Sequence, residues 1–154
     1  MQHAYNYAAA IAVGTQFDVP LFDAAKALSS HVPPNGRMRL IEGKKGTFIL
    51  DDTYNSSPAA AEQALQTVKE LQGLGKKIVV LGDMLELGQF SVREHERMGE
   101  LAAQSADILI TLGLRSRKIA EGALEHGLSE KNIFQYDDIE RAGTELLQMI
   151  EPND

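Results

Sequence analysis

Residues 46–58 have the sequence Gly-Thr-Phe-Ile-Leu-Asp-Asp-Thr-Tyr-Asn-Ser-Ser-Pro. Their first half, residues 47–50, is a short apolar run with a β-branched and aromatic bias, which predicts a buried strand. The chain then changes abruptly to acids, hydroxyls and an amide, and Pro58 opens a predicted helix rich in Ala, Glu and Gln. In an open α/β sheet, ligands bind in the crevice beyond the carboxyl ends of the strands. The polar residues 51–57 would lie in such a crevice.

The chain beyond this segment alternates between helical patterns and apolar runs of strand length. The predicted helices cover residues 58–71, 91–105, 116–125 and 139–150, and the predicted strands cover residues 77–81, 108–112 and 132–136. This alternation predicts a parallel sheet with right-handed crossovers and helices on both faces. With 47–50 counted as its first strand, the fold class is α/β, a three-layer Rossmann-like domain with a mostly parallel sheet. Ser91 and Glu94 predict a capping box at the start of one helix.

The chain before residue 46 has a different pattern. Residues 5–17 predict a buried helix and residues 21–30 a second helix, so the two would form a helical hairpin. Residues 33–36 form a helix-breaking connector. Residues 38–42 and 47–50 predict the two strands of a β-hairpin. Because the helical hairpin has no strand of its own to pack on, we expect the chain to be cut at its N-terminus. Residues 151–154, Glu-Pro-Asn-Asp, form a turn of the kind that usually precedes one more strand, so we expect it to be cut at its C-terminus as well.

Polar residues and glycines follow each predicted parallel strand, on one edge of the sheet. They are residues 51–55, 82–84, 113–115 and 136–138. This pattern is typical of nucleotide or polar small-molecule binding, although single Asp and Gly residues also serve turns and helix caps. Asp52, Tyr54 and Asn55 are denser in donors and acceptors than a turn needs, which favours a ligand. The loop 82–88, Gly-Asp-Met-Leu-Glu-Leu-Gly, is predicted to be a mobile, partly apolar wall of a pocket.

Composition excludes several classes of function. The formal net charge is −7, from 22 acidic and 15 basic residues, which opposes the counterion release that drives nucleic-acid binding. The four histidines have no ligand-like spacing and there is no cysteine, so no metal site is predicted. His95 is predicted to be a solvated or capping residue. No apolar run approaches the roughly 20 residues that cross a bilayer. We expect a cytoplasmic protein that binds neither nucleic acid nor membrane.

Three motifs, in this order and spacing, resemble the Mur ligase family. They are Gly36-Arg37-Met38, the segment Ile49-Leu50-Asp51-Asp52-Thr53-Tyr54-Asn55-Ser56-Ser57-Pro58, and the segment Val80-Leu81-Gly82-Asp83-Met84-Leu85-Glu86-Leu87-Gly88. Residues 3–14 are similar to the helix that ends the family's central ATP-binding domain. The resemblance implies that residues 1–32 are the C-terminal helices of that central domain and residues 33–36 a linker. Residues 37–154 would be the C-terminal, amino-acid-binding domain, itself truncated.

The resemblance also implies an activity, that of an ATP-dependent amide ligase of peptidoglycan precursor synthesis. ATP would phosphorylate the terminal carboxylate of a UDP-N-acetylmuramoyl-tripeptide, and the amine of D-alanyl-D-alanine would attack the acyl phosphate. The implied cofactors are ATP and Mg²⁺, with the metal ligands mainly in the absent N-terminal and central domains, so this chain alone is expected to be inactive. The alternatives are another Mur ligase, a folylpolyglutamate synthase-like ligase, or a non-catalytic Rossmann-like nucleotide-binding module.

Individual roles follow from the resemblance by position. Arg37 would be the catalytic residue, reaching the ATP phosphates from the linker, because its fork and fixed charge suit a migrating phosphoryl group. Asp52 would accept hydrogen bonds from ribose hydroxyls. The other nucleotide contacts would come from Tyr54, Asn55, Asn6 and His3. The contacts with the incoming dipeptide or peptide substrate would come from Asp83, Met84, Glu86 and Ser57, the last at a position where Asn is usual.

Overall fold

Six helices and five strands make up the part of the chain that the computed structural model describes, residues 4–72, 75–152 and 154. The helices are Ala4–Gln16 (α1), Leu21–Leu28 (α2), Pro58–Glu70 (α3), Ser91–Ala103 (α4), Arg117–Glu125 (α5) and Ile139–Met149 (α6). The strands are Arg39–Glu42 (β1), Phe48–Asp51 (β2), Ile78–Gly82 (β3), Ile108–Leu112 (β4) and Ile133–Tyr136 (β5). Over these ranges, no helix has both the length and the apolar character to cross a membrane.

The three strands β3, β4 and β5 form a parallel sheet in that order, with helices on both faces. Adjacent residues of β4 point to opposite faces, as strand geometry requires. Leu109 packs in a core with α3, α4 and α5, whereas Ile110 packs in a second core with α6. The predicted three-layer α/β fold is confirmed. Burial on both faces holds for the central strand β4 but not for the edge strand β3, where Val80 is 44% exposed.

Helices α4 and α5 cross closely because glycines face the partner helix at the contact. A Cβ atom on Gly99 would lie 2.2 Å from the carbonyl oxygen of Ile119, and one on Gly122 would lie 2.3 Å from the carbonyl oxygen of Glu96. Both distances are far below any real carbon–oxygen contact, so only glycine fits at either position. This contact fixes α4, and with it the side chains that α4 presents to the sheet.

The predicted β-hairpin is confirmed, but its second strand is not part of the parallel sheet in the described residues. Strands β1 and β2 pair antiparallel, with Arg39 opposite Asp51 and Glu42 opposite Phe48. On the other edge of β2, the Phe48 N–H donates to the carbonyl oxygen of Asp154 at 3.0 Å. For the described residues, the expectation that residues 47–50 begin the parallel sheet is therefore wrong, because β2 pairs with β1 and no strand of the parallel sheet pairs with it there.

Helices α1 and α2 form the expected hairpin, but the expectation that α1 is buried is wrong. No residue of either helix is buried. Large apolar side chains instead face solvent, including Tyr5, Phe17 and Phe22, which are 75–88% exposed. The reason is that α1 packs mainly on α2, and two short helices have too little shared surface to cover their own apolar residues.

Candidate functional site

Gly36 fastens the connector before β1 to the polar segment that follows β2. Its N–H donates to Asp51 Oδ2 at 2.8 Å, and its carbonyl oxygen accepts from the Tyr54 N–H at 3.1 Å. The backbone at Gly36 has a φ of +72°, and a Cβ atom there would lie 2.8 Å from the Tyr54 nitrogen. A glycine is required on both grounds. We call Gly36, Arg37, Asp51, Asp52 and Tyr54 the linker cluster.

Asp51 organises this cluster through three hydrogen bonds. Besides Gly36, its carboxylate accepts from the Thr53 hydroxyl at 2.7 Å and from the Thr53 N–H at 3.3 Å. The Thr53 side chain first, and then the Gly36 backbone, hold the pKa of Asp51 below its ordinary value, while partial burial opposes them and nearby Arg39 assists. Asp51 is therefore an ionised structural carboxylate, a role that the sequence did not separate from that of its neighbour Asp52.

Three predicted site residues meet in the linker cluster. Asp52 Oδ1 accepts from the Met38 N–H at 3.1 Å, and no hydrogen bond from the described residues reaches Asp52 Oδ2. The Arg37 guanidinium lies over the Tyr54 ring, 4.0 Å from its centroid, in a cation–π contact. The Tyr54 ring is 71% exposed. The cluster thus presents a cation, an aromatic face and a carboxylate oxygen to solvent, a set of groups that suits a nucleotide.

The other residues predicted to contact nucleotide or peptide lie outside the linker cluster. Asn55 is exposed beside Tyr54, and Asn6 is exposed on α1. His3 lies outside the described residues. The Ser57 hydroxyl caps α3 by accepting from the Ala60 N–H at 3.4 Å, and its contact with the peptide substrate stays a prediction.

Residues 82–88, which we call the acceptor loop, are fastened to the turn between β4 and α5 through Asp83. Asp83 Oδ1 accepts from the Ser116 N–H at 2.7 Å, and Asp83 Oδ2 lies 3.8 Å from Arg115 Nη1. Gly113 has a φ of +108°, and a Cβ atom there would lie 2.6 Å from Asp83 Oδ1. The polar residues that follow β3 and β4 were predicted separately, and in the structure they meet around the Asp83 carboxylate.

The middle of the acceptor loop divides between the core and solvent. The Met84 side chain is 1% exposed and belongs to the main core. Its side chain therefore fills the core below the loop, and the expected contact of Met84 with substrate stays a prediction that only its backbone could fulfil. Leu85 is 61% exposed, and Glu86 is exposed with a φ of +63°. These two residues form the solvent-facing part of the loop.

His95 on α4 lies directly beneath this loop and is fully buried. Its Nε2 accepts from the Met84 N–H at 3.0 Å, and its Nδ1 lies 2.7 Å from the Ser91 carbonyl oxygen. The expectation of a solvated or capping histidine is wrong. A signal was present in the sequence, because His95, Met98, Gly99 and Ala102 have the i, i+3, i+4, i+7 spacing of a buried helix face.

The start of α4 also differs from the expectation. A 3₁₀ turn over Gly88–Phe90 leads directly into the helix, and the residue in the capping position is Phe90. Ser91 lies inside the first turn, and no side-chain capping bond forms. The predicted capping box is therefore wrong, because the 3₁₀ turn continues the helical path backward through Ser91.

The linker cluster and the acceptor loop are separate sites in the described part of the chain, and no hydrogen bond or ion pair there connects them. A cavity of about 410 Å³ between α3 and α4 includes none of the predicted site residues. Over residues 4–72, 75–152 and 154, no group of three His, Asp or Glu side chains fits a metal ion.

A family profile described as "Mur ligase, glutamate ligase domain" matches residues 36–154. The chain belongs to the Mur ligase family. The profile begins at Gly36, the residue that fastens the linker cluster, and it includes the acceptor loop.

Curated relatives in this family carry the name UDP-N-acetylmuramoyl-tripeptide–D-alanyl-D-alanine ligase. The enzyme of Bacillus subtilis (strain 168) is 38% identical over 149 residues, which are 96% of this chain and 32% of that protein. The enzyme of Escherichia coli (strain K12) is 33% identical over 122 residues, which are 77% of this chain and 26% of that protein. The chain thus spans about a third or less of the length of these relatives.

Solved structures of the same branch share the fold. MurF from Acinetobacter baumannii superposes with a TM-score of 0.80 and 29% identity over 94% of this chain and 30% of that one. MurF ligase from Thermotoga maritima, solved in complex with ADP, superposes with a TM-score of 0.72 and 28% identity over 94% of this chain and 31% of that one. The arrangement of sheet and helices in this chain is therefore that of a Mur ligase C-terminal region.

Proposed function

We propose that this chain is the C-terminal part of a cytoplasmic, ATP-dependent ligase that joins D-alanyl-D-alanine to a UDP-N-acetylmuramoyl-tripeptide. The observation that carries the proposal is the meeting of Arg37, Asp52 and Tyr54 at the linker of a chain 38% identical to a relative of that name. The share of its relatives that the chain spans agrees with one domain of a three-domain enzyme.

The domain boundaries belong to the same proposal. Residues 1–32 end the central ATP-binding domain, residues 33–36 are the linker, and residues 37–154 belong to the amino-acid-binding domain. The exposed apolar side chains of α1 and α2 support this division, because a central domain would cover them. In the whole enzyme the N-terminal and central domains would form the other side of the cleft.

The reaction has two covalent steps. An oxygen of the tripeptide's terminal carboxylate attacks the γ-phosphorus of ATP, the bond to the bridging oxygen breaks, and ADP leaves. The amine nitrogen of D-alanyl-D-alanine then attacks the acyl carbon to form a tetrahedral intermediate. Its collapse expels inorganic phosphate and leaves an amide, with the amine proton released to a base. The resemblance implies that the Mg²⁺ ligands lie mainly in the N-terminal and central domains, so this domain would contribute mainly binding and orientation.

Arg37 would bind the transferring phosphoryl group and stabilise the charge that develops on it. Its approach is set by the backbone on both sides, because Gly36 is bonded to Asp51 and Met38 is bonded to Asp52. The Tyr54 ring beneath the guanidinium restricts its rotamers. The oxygen of Asp52 that Met38 does not use is available to a ribose hydroxyl, and Tyr54 and Asn55 would border the same nucleotide.

Nucleotide contacts from Asn6 and His3 remain part of the proposal, as extensions from the end of the central domain. On the acceptor side, Glu86 and the backbone of the acceptor loop would face the dipeptide. Asp83 would hold the loop in place from below, given its bonds to the turn before α5. Ser57, as the cap of α3, would orient the backbone near the peptide substrate rather than bind it through its hydroxyl.

Phosphate release by the full-length enzyme, measured with a panel of acceptors, tests this proposal. Release should require both the UDP-N-acetylmuramoyl-tripeptide and D-alanyl-D-alanine, and mass spectrometry should detect the pentapeptide product. Single amino acids should support little release, and residues 1–154 alone should support none. A preference for L-glutamate or for a single D-amino acid would refute the dipeptide assignment, and release without any amine would refute the ligase assignment.

A further inference from the structure

The backbone N–H of Met84 lies in the core, beneath the exposed part of the acceptor loop. The Met84 side chain enters the same core as Met98 and Leu109, so water has no access from that side. A buried N–H needs a hydrogen-bond acceptor, because leaving it unpaired costs most of its hydration. The acceptor is Nε2 of His95, at 3.0 Å.

The contact of the second ring nitrogen of His95 determines which tautomer the ring adopts. The Ser91 carbonyl oxygen, 2.7 Å from Nδ1, can only accept, so Nδ1 carries the proton. Nε2 then has a free lone pair, directed at the Met84 N–H. Both ring nitrogens are used, and the ring is fully buried. The side chain is thus held in one tautomer and one orientation, so it can fix the position of the Met84 N–H.

Two neighbouring elements therefore hold the acceptor loop at Asp83 and Met84, the two residues that precede its exposed tip. His95 binds it from α4, and the Ser116 N–H binds Asp83 from the start of α5. The glycine contact between α4 and α5 sets the distance between these anchors. Leu85 and Glu86 lie between the anchored residues and α4. The backbone of Glu86 is in the left-handed region, which residues with a β-carbon disfavour. A loop in this conformation is maintained by its anchors rather than by its own preference.

We propose that His95 is a positioning residue for acceptor-amine binding, acting through the Met84 N–H to hold Leu85 and Glu86 in the shape that receives the dipeptide. This inference rests on the proposed function. His95 touches no substrate, and its contribution appears in the affinity for the acceptor and not in the affinity for ATP. The linker cluster, which serves the nucleotide, has no hydrogen bond to the acceptor loop in the part of the chain described.

The test compares two substitutions in the full-length enzyme. His95→Gln keeps an acceptor oxygen at about the reach of Nε2, whereas His95→Asn keeps a donor toward Ser91 but has no group that reaches the loop. We expect His95→Asn to raise the KM for D-alanyl-D-alanine about tenfold, with the KM for ATP unchanged. We expect His95→Gln to stay within about twofold of wild type for both substrates.

A matched control is present on α5. His126 makes the same bond to the preceding turn, from Nδ1 to the Gly122 carbonyl oxygen at 2.8 Å, but it is exposed, and its Nε2 lies 3.9 Å from the Glu100 carboxylate instead of accepting from a loop N–H. His126→Asn should leave both KM values unchanged. Hydrogen exchange of the acceptor-loop amides, measured on the same proteins, should be faster in His95→Asn and unchanged in His95→Gln and His126→Asn.

Each result bears on the inference. Equal increases in the KM for ATP and for the dipeptide in His95→Asn would overturn it, as would an unchanged dipeptide KM despite faster exchange in the loop. If His95→Asn does not fold, a tenfold rise in dipeptide KM for His95→Gln overturns it, and a normal value supports it. A wild-type enzyme that does not use D-alanyl-D-alanine would refute the proposed function, whereas the results above in a working enzyme refute only the role of His95.

Discussion

Replacing Gly36 with alanine tests whether the connector is fastened to the end of β2 as described. An alanine at a φ of +72° costs about 1–2 kcal/mol from its β-carbon alone. That carbon would lie 2.8 Å from the Tyr54 nitrogen, so the hydrogen bond from Tyr54 to Gly36 must also break, at about 1 kcal/mol. The local free energy that protects the Tyr54 amide should therefore fall by about 2–3 kcal/mol, which is about a 30- to 150-fold increase in its exchange rate.

Gly46→Ala is the matched control for this prediction. Gly46 has a φ of +75°, but no atom lies within 4 Å of the position its Cβ would take. This substitution carries the same conformational cost, about 1–2 kcal/mol, without the collision. Amide exchange measured by NMR on the wild type and both variants separates the two effects. If Gly36→Ala accelerates exchange of the Tyr54 amide no more than Gly46→Ala does, the steric argument for Gly36 is refuted.

Two further predictions concern the core and the acid range. Gly99→Ala should lower the free energy of urea unfolding by about 1–3 kcal/mol, because its methyl would collide with the Ile119 carbonyl oxygen. Gly143→Ala, on the open surface of α6, should raise the free energy of unfolding slightly. Equal effects of the two substitutions would contradict the α4–α5 packing. Since the pKa of Asp51 is depressed in the folded protein, its stabilising contribution is present above the unfolded-state pKa and is lost as the pH falls through the folded-state value. Protection of the Gly36 amide should therefore persist from neutral pH down to the ordinary aspartate range and fall only below it, and Asp51→Asn should abolish that acid step; an unchanged step in the variant would assign it to another group.

The order of helices and strands was predictable because it depends on local pattern. The continuous apolar run of β4 is both the length of a strand and buried on both faces, and its bounds in the structure, Ile108–Leu112, equal those predicted. The pairing of β2 was predictable only in part. Its hairpin with β1 was predicted from the short connection between them and is confirmed, but whether its other edge joins the parallel sheet depends on long-range hydrogen bonds that the local pattern does not determine.

The candidate site shows where local pattern fails. Asp51 and Asp52 are adjacent acids with different tasks, and the difference arises from Gly36 and Met38, which are distant in sequence. Met84 lies in a polar loop but fills the core below it, so its polar neighbours suggested the wrong environment. His95 has glutamates on both sides along the chain, which suggested solvent, although its helical spacing to Met98 indicated the buried face.

The turnover number of the full-length enzyme with Arg37 substituted tests the central claim most directly. With saturating ATP, tripeptide and D-alanyl-D-alanine, Arg37→Ala should lower kcat by about 10²–10³-fold, because the developing phosphoryl charge loses its bidentate partner. Arg37→Lys should recover part of the loss. Arg141→Ala, which removes a surface pair with Glu145 and a contact with the Tyr136 ring, both away from the linker cluster, should leave kcat unchanged. A kcat for Arg37→Ala within twofold of wild type would contradict the assignment of the linker cluster to phosphoryl transfer.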